Sequence, residues 1–215
     1  MIKARTIISA ILLIILPAAA ATAQKKRITQ AASRDSFPLR VGDSWTYRND
    51  EDDSEYTVKV IDEEKQADGT IVYQVEKQVG TRIHYWYTKA PGWVLMRREA
   101  YADEEGMGVT HEPARQYLKN PLTVGAKWTW NGKSAMGMDV TEINEVAGTE
   151  VVTTPAGRFR AVKVVSRVRE GDASVARTNW YAPGVGLVKT LTEAPSLKYG
   201  AQLADYSFKS KSPGK

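Results

Sequence analysis

One eleven-residue pattern occurs twice in this chain, and it constrains the fold more than any other feature. Phe37-Pro38-Leu39-Arg40-Val41-Gly42-Asp43-Ser44-Trp45-Thr46-Tyr47 returns 83 residues later as Asn120-Pro121-Leu122-Thr123-Val124-Gly125-Ala126-Lys127-Trp128-Thr129-Trp130. Pro, Leu, Val, Gly, Trp and Thr are identical at matching positions. A second landmark follows in the same order. Trp86-Tyr87-Thr88-Lys89-Ala90-Pro91-Gly92 corresponds to Trp180-Tyr181-Ala182-Pro183-Gly184. The chain therefore reads as an internal duplication. The second half carries about nine extra residues, placed at Val152 to Arg158, where Thr154-Pro155-Ala156-Gly157 makes an added turn.

The repeated landmarks are turn and core residues. Pro38, Gly42, Trp45, Pro91 and Gly92 in the first half, and Pro121, Gly125, Trp128, Pro183 and Gly184 in the second, are read as structural. Pro91-Gly92 and Pro183-Gly184 suit a type II turn, in which Pro presets φ and Gly takes a positive φ. A Trp opening a strand more often anchors a core than stacks a ligand.

Between the landmarks the pattern alternates with period two. Tyr56, Val58 and Val60 share one face, as do Ile83, Tyr85 and Tyr87, and Val162, Val164, Ser166 and Val168. Asp68-Gly69 and Asn131-Gly132 read as hairpin turns, and Glu170-Gly171-Asp172 ends a strand. Later strands are expected over Ser174–Tyr181, Leu187–Thr192 and Lys198–Phe208. Glu112–Lys119 alone is read as a possible short helix linking the halves. The expected fold is all-β, an antiparallel meander of five or six strands per half, curled into a half-barrel or barrel. The short linker favours one compact unit, and the residues leave open one continuous sheet or two small domains.

Residues 1–23 read as a secretory leader. Lys3 and Arg5 precede the apolar run Ile7–Leu16, and Ala21-Thr22-Ala23 fits a cleavage site. The run is shorter than the ~20 residues that a membrane span needs, so no span is expected after cleavage. Residues 24–36 read as a flexible arm, 37–119 and 120–208 as the two β repeats, and 209–215 as a disordered tail. Past the leader the chain has 20 Val against 5 Ile and 8 Leu, a strand-forming balance. The formal charge is +5, but the basic excess lies in the leader and the two ends. Residues 36–208 carry 21 basic and 24 acidic side chains. That balance argues against a nucleic-acid partner.

The absence of cysteine excludes disulfides, thiol catalysis and a lipid-modified cysteine. Neither His84 nor His111 has a partner at metal-ligand or nucleophile spacing, and no G-x-S-x-G is present. The acidic run Asp50–Glu55 lacks the glycine and spacing of a calcium loop, and it reads as a hairpin tip, as does Asp103–Gly106. No catalytic residue, metal site or cofactor is expected. The 6 Trp and 10 Tyr are what remains. Some lie opposite the core face, and Trp86, His84, Trp93 and Trp180 are the candidate ligand-binding residues. The expected role is non-catalytic binding of an apolar or amphipathic ligand, such as a lipid, or of an envelope component such as an envelope protein, by an exported protein of the periplasm or extracellular space. A structural or protein-interaction module is the second reading, and a carboxylate-based hydrolase the third.

The leader, the early Phe37–Tyr47 motif and the late Trp180–Lys189 motif together resemble the TapB-like secreted bacterial proteins, a family of unknown function. The resemblance spans about residues 36–193. It implies an all-β fold distantly similar to the curved β-sheet lipoprotein-carrier class, and it brings no catalytic residues. This sequence departs from the lipid-anchored members of that wider class in having no cysteine at the leader's end.

Overall fold

The structure, a computed structural model, describes residues 35–209. The leader and most of both terminal segments lie outside the described residues. Twelve antiparallel strands form one sheet: β1 Ser44–Asn49, β2 Glu55–Lys65, β3 Ile71–Val79, β4 Thr81–Ala90, β5 Trp93–Tyr101, β6 Gly108–Lys119, β7 Lys127–Lys133, β8 Asp139–Thr154, β9 Gly157–Glu170, β10 Ala173–Ala182, β11 Gly186–Ala194 and β12 Leu197–Ser207. The order across the sheet is β6-β5-β4-β3-β2-β1-β12-β11-β10-β9-β8-β7. Two six-stranded meanders are thus joined by the ladder between β1 and β12, where Ser44 faces Ser207 and Asn49 faces Ala201. The sheet is continuous across the two halves, a point the sequence left open.

Register breaks at Thr46/Tyr47, Val60/Asp62, Trp86/Tyr87, Val146/Gly148 and Trp180/Tyr181 interrupt the ladders. Each such bulge bends its strand and increases the local twist. The sheet curls until β6 and β7, its two edges, face each other in a nearly closed barrel. Side chains rather than a ladder bridge that seam. Trp128 Nε1 donates to Gln116 O at 3.1 Å, and Arg115 pairs with Glu142. Beside the seam, within the β8–β9 hairpin, the Asn144 amide nitrogen donates to Ser166 Oγ at 2.5 Å and to Glu142 Oε1 at 2.9 Å.

Two sequence expectations are corrected. Glu112–Lys119 is not a helix but part of β6. Alternate residues of this strand meet different surroundings, and Pro113 falls where the ladder to β5 skips from Arg115 to Thr110. Proline is tolerated at such an irregular edge. Asn131-Gly132 is not a turn but lies within β7, paired with Thr141 and Val140. The Trp130 indole lies over Gly132, where an added Cβ would come within 2.2 Å of Cζ2. The glycine there makes room for a ring rather than for a turn. The remaining expected strands and turns are present, including the long β8–β9 hairpin that holds the extra residues of the second half.

The two copies of the repeated motif make the same turn. Gly42 N–H donates to Val60 O and Val60 N–H to Asp43 O; Gly125 N–H donates to Val146 O and Val146 N–H to Ala126 O. Both glycines have positive φ, 90° and 85°, a conformation that side-chain-bearing residues rarely adopt.

Odd-numbered strands all run toward one end of the barrel and even-numbered strands run back. The other end is closed by the segment Asp35–Asp43. Gly184 N–H donates to Asp35 O at 2.7 Å, and Ser36 N–H to Asn120 Oδ1 at 3.0 Å. Phe37 stands edge-on to Tyr87 and Tyr117, at centroid distances of 5.1 and 5.5 Å. Trp45 Nε1 reaches past β12 to donate to Val185 O at 2.7 Å. Asn120 N–H donates to Gly92 O at 3.0 Å. Pro38, Trp45, Gly92, Asn120 and Gly184 therefore meet at this closed end. Asp35 and Ser36, assigned to the flexible arm from sequence, are held by these bonds, and Lys209 N–H donates to Asp43 Oδ1 at 3.1 Å.

Replacing Trp45 with Phe keeps the ring packing but strands the Val185 carbonyl. A loss of about 1–3 kcal/mol is expected, measured as a lower urea midpoint with an unchanged slope.

Candidate functional site

The barrel interior contains a cavity of about 590 Å³. Its lining runs from Phe37, Leu39 and Trp45 at the closed end to Asn49, Val79 and Ser134 at the opposite end. The closed-end half is aromatic and aliphatic. Tyr47, Tyr87 and Met96 are buried there, and Tyr47 stacks on Tyr56 with centroids 5.2 Å apart. Period-two alternation places these side chains inside, because successive strand residues face opposite sides of the sheet.

Nearer the open end a belt of polar side chains interrupts the apolar lining: Lys77, Glu99, His111, Arg115, Glu170 and Arg177. They come from β3, β5, β6, β9 and β10, so only the closed sheet brings them together. Burial pushes the Glu99 carboxyl above its ordinary range, although Arg115, Arg177 and Lys77 pull it down. Burial lowers the Lys77 ammonium, and Arg177 adds to that. Lys77 Nζ sits 4.8 Å from the centroid of Tyr56. Burial and the Arg115 charge bring His111 down to about 4.

Three polar atoms of this belt are buried without a partner: His111 Nε2, Arg115 Nε and Glu170 Oε1. His111 is only 8% exposed and stands edge-on to Trp130 at 5.2 Å. Buried polar groups normally find partners, so unpaired ones mark a place where a ligand or water completes the set. Behind the belt is a void of about 20 Å³, lined by Arg115, Glu142, Asn144, Ser166 and Arg177 among others, a size suited to about one water.

The four residues proposed from sequence lie elsewhere, and none lines the cavity. His84 and Trp86 occupy the face of β4 opposite Ile83, Tyr85 and Tyr87. His84 Nε2 contacts Glu76 Oε2 at 3.0 Å, its Nδ1 faces Gln74 Nε2 at 3.2 Å, and Arg98 lies 4.8 Å over the Trp86 ring. Trp93 packs against Trp128 under Lys119. Trp180 is buried between Lys163 and Lys189, each 5.5 Å from the ring centroid, and its Nε1 donates to Glu150. These contacts already occupy the aromatic faces. The cavity residues that sequence reasoning missed are mostly charged. Arg115 was hidden by the helix reading of its segment, and Lys77, Glu99 and Arg177 resembled solvent-facing positions of alternating strands.

Residues 107–193 match the DUF3108-like family. No curated protein matches the chain. Among solved structures, a predicted exported protein with YmcC-like fold from Bacteroides fragilis NCTC 9343 aligns with a TM-score of 0.52 at 15% identity, covering 82% of this chain and 100% of that one. A predicted lipoprotein from Parabacteroides distasonis ATCC 8503 aligns with a TM-score of 0.49 at 14% identity, with the same coverage. The first likeness supports the barrel fold alone. The matched family segment runs from the turn before β6 to β11 and so contains both edges of the seam.

Because His111 is held well below the ordinary histidine range in the folded state, the unfolded chain binds its proton first. The stability it contributes is complete above about pH 6.5 and is lost as pH falls toward about 4. Thermal melts of His111→Gln should therefore show a smaller drop in melting temperature between those two pH values than the unaltered protein.

Proposed function

We propose that this is an exported, non-catalytic binding protein that holds an apolar or amphipathic molecule inside its barrel. The observation that supports this reading is the cavity of about 590 Å³, within the ~300–1,000 Å³ usual for small-molecule sites. Its walls are aromatic and aliphatic at one end and carry a few convergent polar groups at the other, the composition such sites share. The chain's leader-like first 23 residues, and the predicted export of the Bacteroides fragilis neighbour, support placement in the cell envelope or outside it. The resemblance to the TapB-like proteins, and through them to lipoprotein carriers, belongs to the same reading at the level of fold analogy.

Native mass spectrometry of the purified protein, followed by solvent extraction, tests the proposal. A bound species of defined mass that extracts as a lipid is the expected result. A ligand-free protein that also fails to bind a hydrophobic fluorescent probe would contradict it. Met96 is buried in the cavity wall. Met96→Trp should fill part of the space and weaken probe binding by about tenfold or more, with the barrel's circular dichroism retained.

A further inference from the structure

We infer that the cavity takes a single-tailed amphipathic molecule with an anionic head, a carboxylate or a phosphate, seated tail-first so that the head lies between Arg115 and Arg177. This rests on the cavity-binding reading above and adds the chemistry and direction of the ligand. Three observations carry it.

The first is charge. The basic side chains that line the cavity are Lys77, Arg115, Lys133 and Arg177, and the acidic ones are Glu99 and Glu170. Glu142, the partner of Arg115, lines the small void behind instead. Lys133 is exposed and answered by Asp139, and Arg115 is answered by Glu142, so Lys77 and Arg177 stand against Glu99 and Glu170 and the lining as a whole is balanced. The excess is local: Arg115 and Arg177 both border the cavity and the void behind it, where Glu142 is the one carboxylate among the described lining residues. An incoming anion meets that pair of guanidinium groups favourably, and an incoming cation does not.

The second is the set of unsatisfied atoms. Arg115 donates to Glu142 through a terminal nitrogen, which leaves its Nε–H buried and unpartnered. Arg177 forms no ion pair among the described residues, although it lines both the cavity and the void beside Arg115. Two guanidinium groups facing one space form a natural clamp for an oxyanion. His111 Nε2 can donate to the same head as the neutral imidazole. Glu170 Oε1 is an acceptor near the open end, and it takes a hydrogen bond from water or from a protonated head oxygen.

The third is polarity along the barrel. Phe37, Leu39, Tyr47, Tyr87 and Met96 line the closed end. Lys77, Glu99, His111 and Glu170 lie toward the open end, and Arg115, the cross-strand partner of Met96, stands at the border of the two zones. A tail directed past that border meets apolar and aromatic wall, while the head stays with Arg115 and Arg177.

The test is calorimetric titration of the full-length protein with four probes that share one tail: lauric acid, dodecyl phosphate, dodecanol and dodecylamine. At least one of the two anions should bind about tenfold or more tightly than the alcohol and the amine, and the tighter anion identifies the head. Arg177→Gln should abolish that preference while leaving dodecanol affinity unchanged. Arg177→Lys should restore most of it. Thermal melts of both variants check that the barrel is intact. Dodecanol or dodecylamine binding as tightly as both anions would overturn the assignment of the head and leave the cavity reading standing. Failure of all four probes to bind would overturn both.

Discussion

The ladder between β1 and β12 is the constraint on which the rest of the structure depends. It joins strands from opposite ends of the sequence, and it is the ladder that unites the two six-stranded meanders. Each meander alone would leave its apolar face open on one side. Joined, they share one interior, and Tyr47, Leu203 and Ala201 become buried at the junction. The same register fixes where the free edges fall. β6 and β7 are left to meet across side chains, and the polar network of Arg115, Glu142, Asn144 and Ser166 sits at that meeting line. The polar belt is therefore a consequence of how the sheet closes.

The closed end shows why the landmark residues recur. The first copy of the motif is sunk into the barrel end, with Leu39, Asp43 and Trp45 buried. The second makes the same turn at the seam, with Val124 and Pro121 exposed. One local geometry thus serves two surroundings. The hydrogen bonds that set the turn belong to the backbone and its glycine, whereas burial depends on what the sheet brings near. That division explains why the first copy can seal the barrel while the second only hands the chain from β6 to β7.

Much of the fold was legible in the sequence for this local reason. Alternation in Tyr56–Val60, Ile83–Tyr87 and Val162–Val168 identifies strands and their inner faces, and positive-φ glycines at 69, 92, 171 and 184 mark turns. Asn131-Gly132 misled because the pair imitates a turn while the glycine accommodates the Trp130 ring. The candidate site was scarcely legible. Binary pattern assigns charged residues to solvent, yet Lys77, Glu99, Arg115 and Arg177 face inward. Conversely, aromatic residues on the far side of the sheet suggested a binding surface, but Trp86 and Trp180 lie under Arg98, Lys163 and Lys189. Which face of a curled sheet becomes the interior depends on closure, and closure is decided by pairings far apart in sequence.

The account rests on a hollow, apolar space at the closed end of the barrel, and xenon placed in crystals under pressure reports on that space directly. Apolar cavities of this kind bind xenon. The expected result is xenon density between Phe37, Leu39, Tyr87 and Met96, on the closed-end side of the Arg115–Arg177 belt. An interior filled by side chains, with no xenon density inside the barrel, would contradict the account.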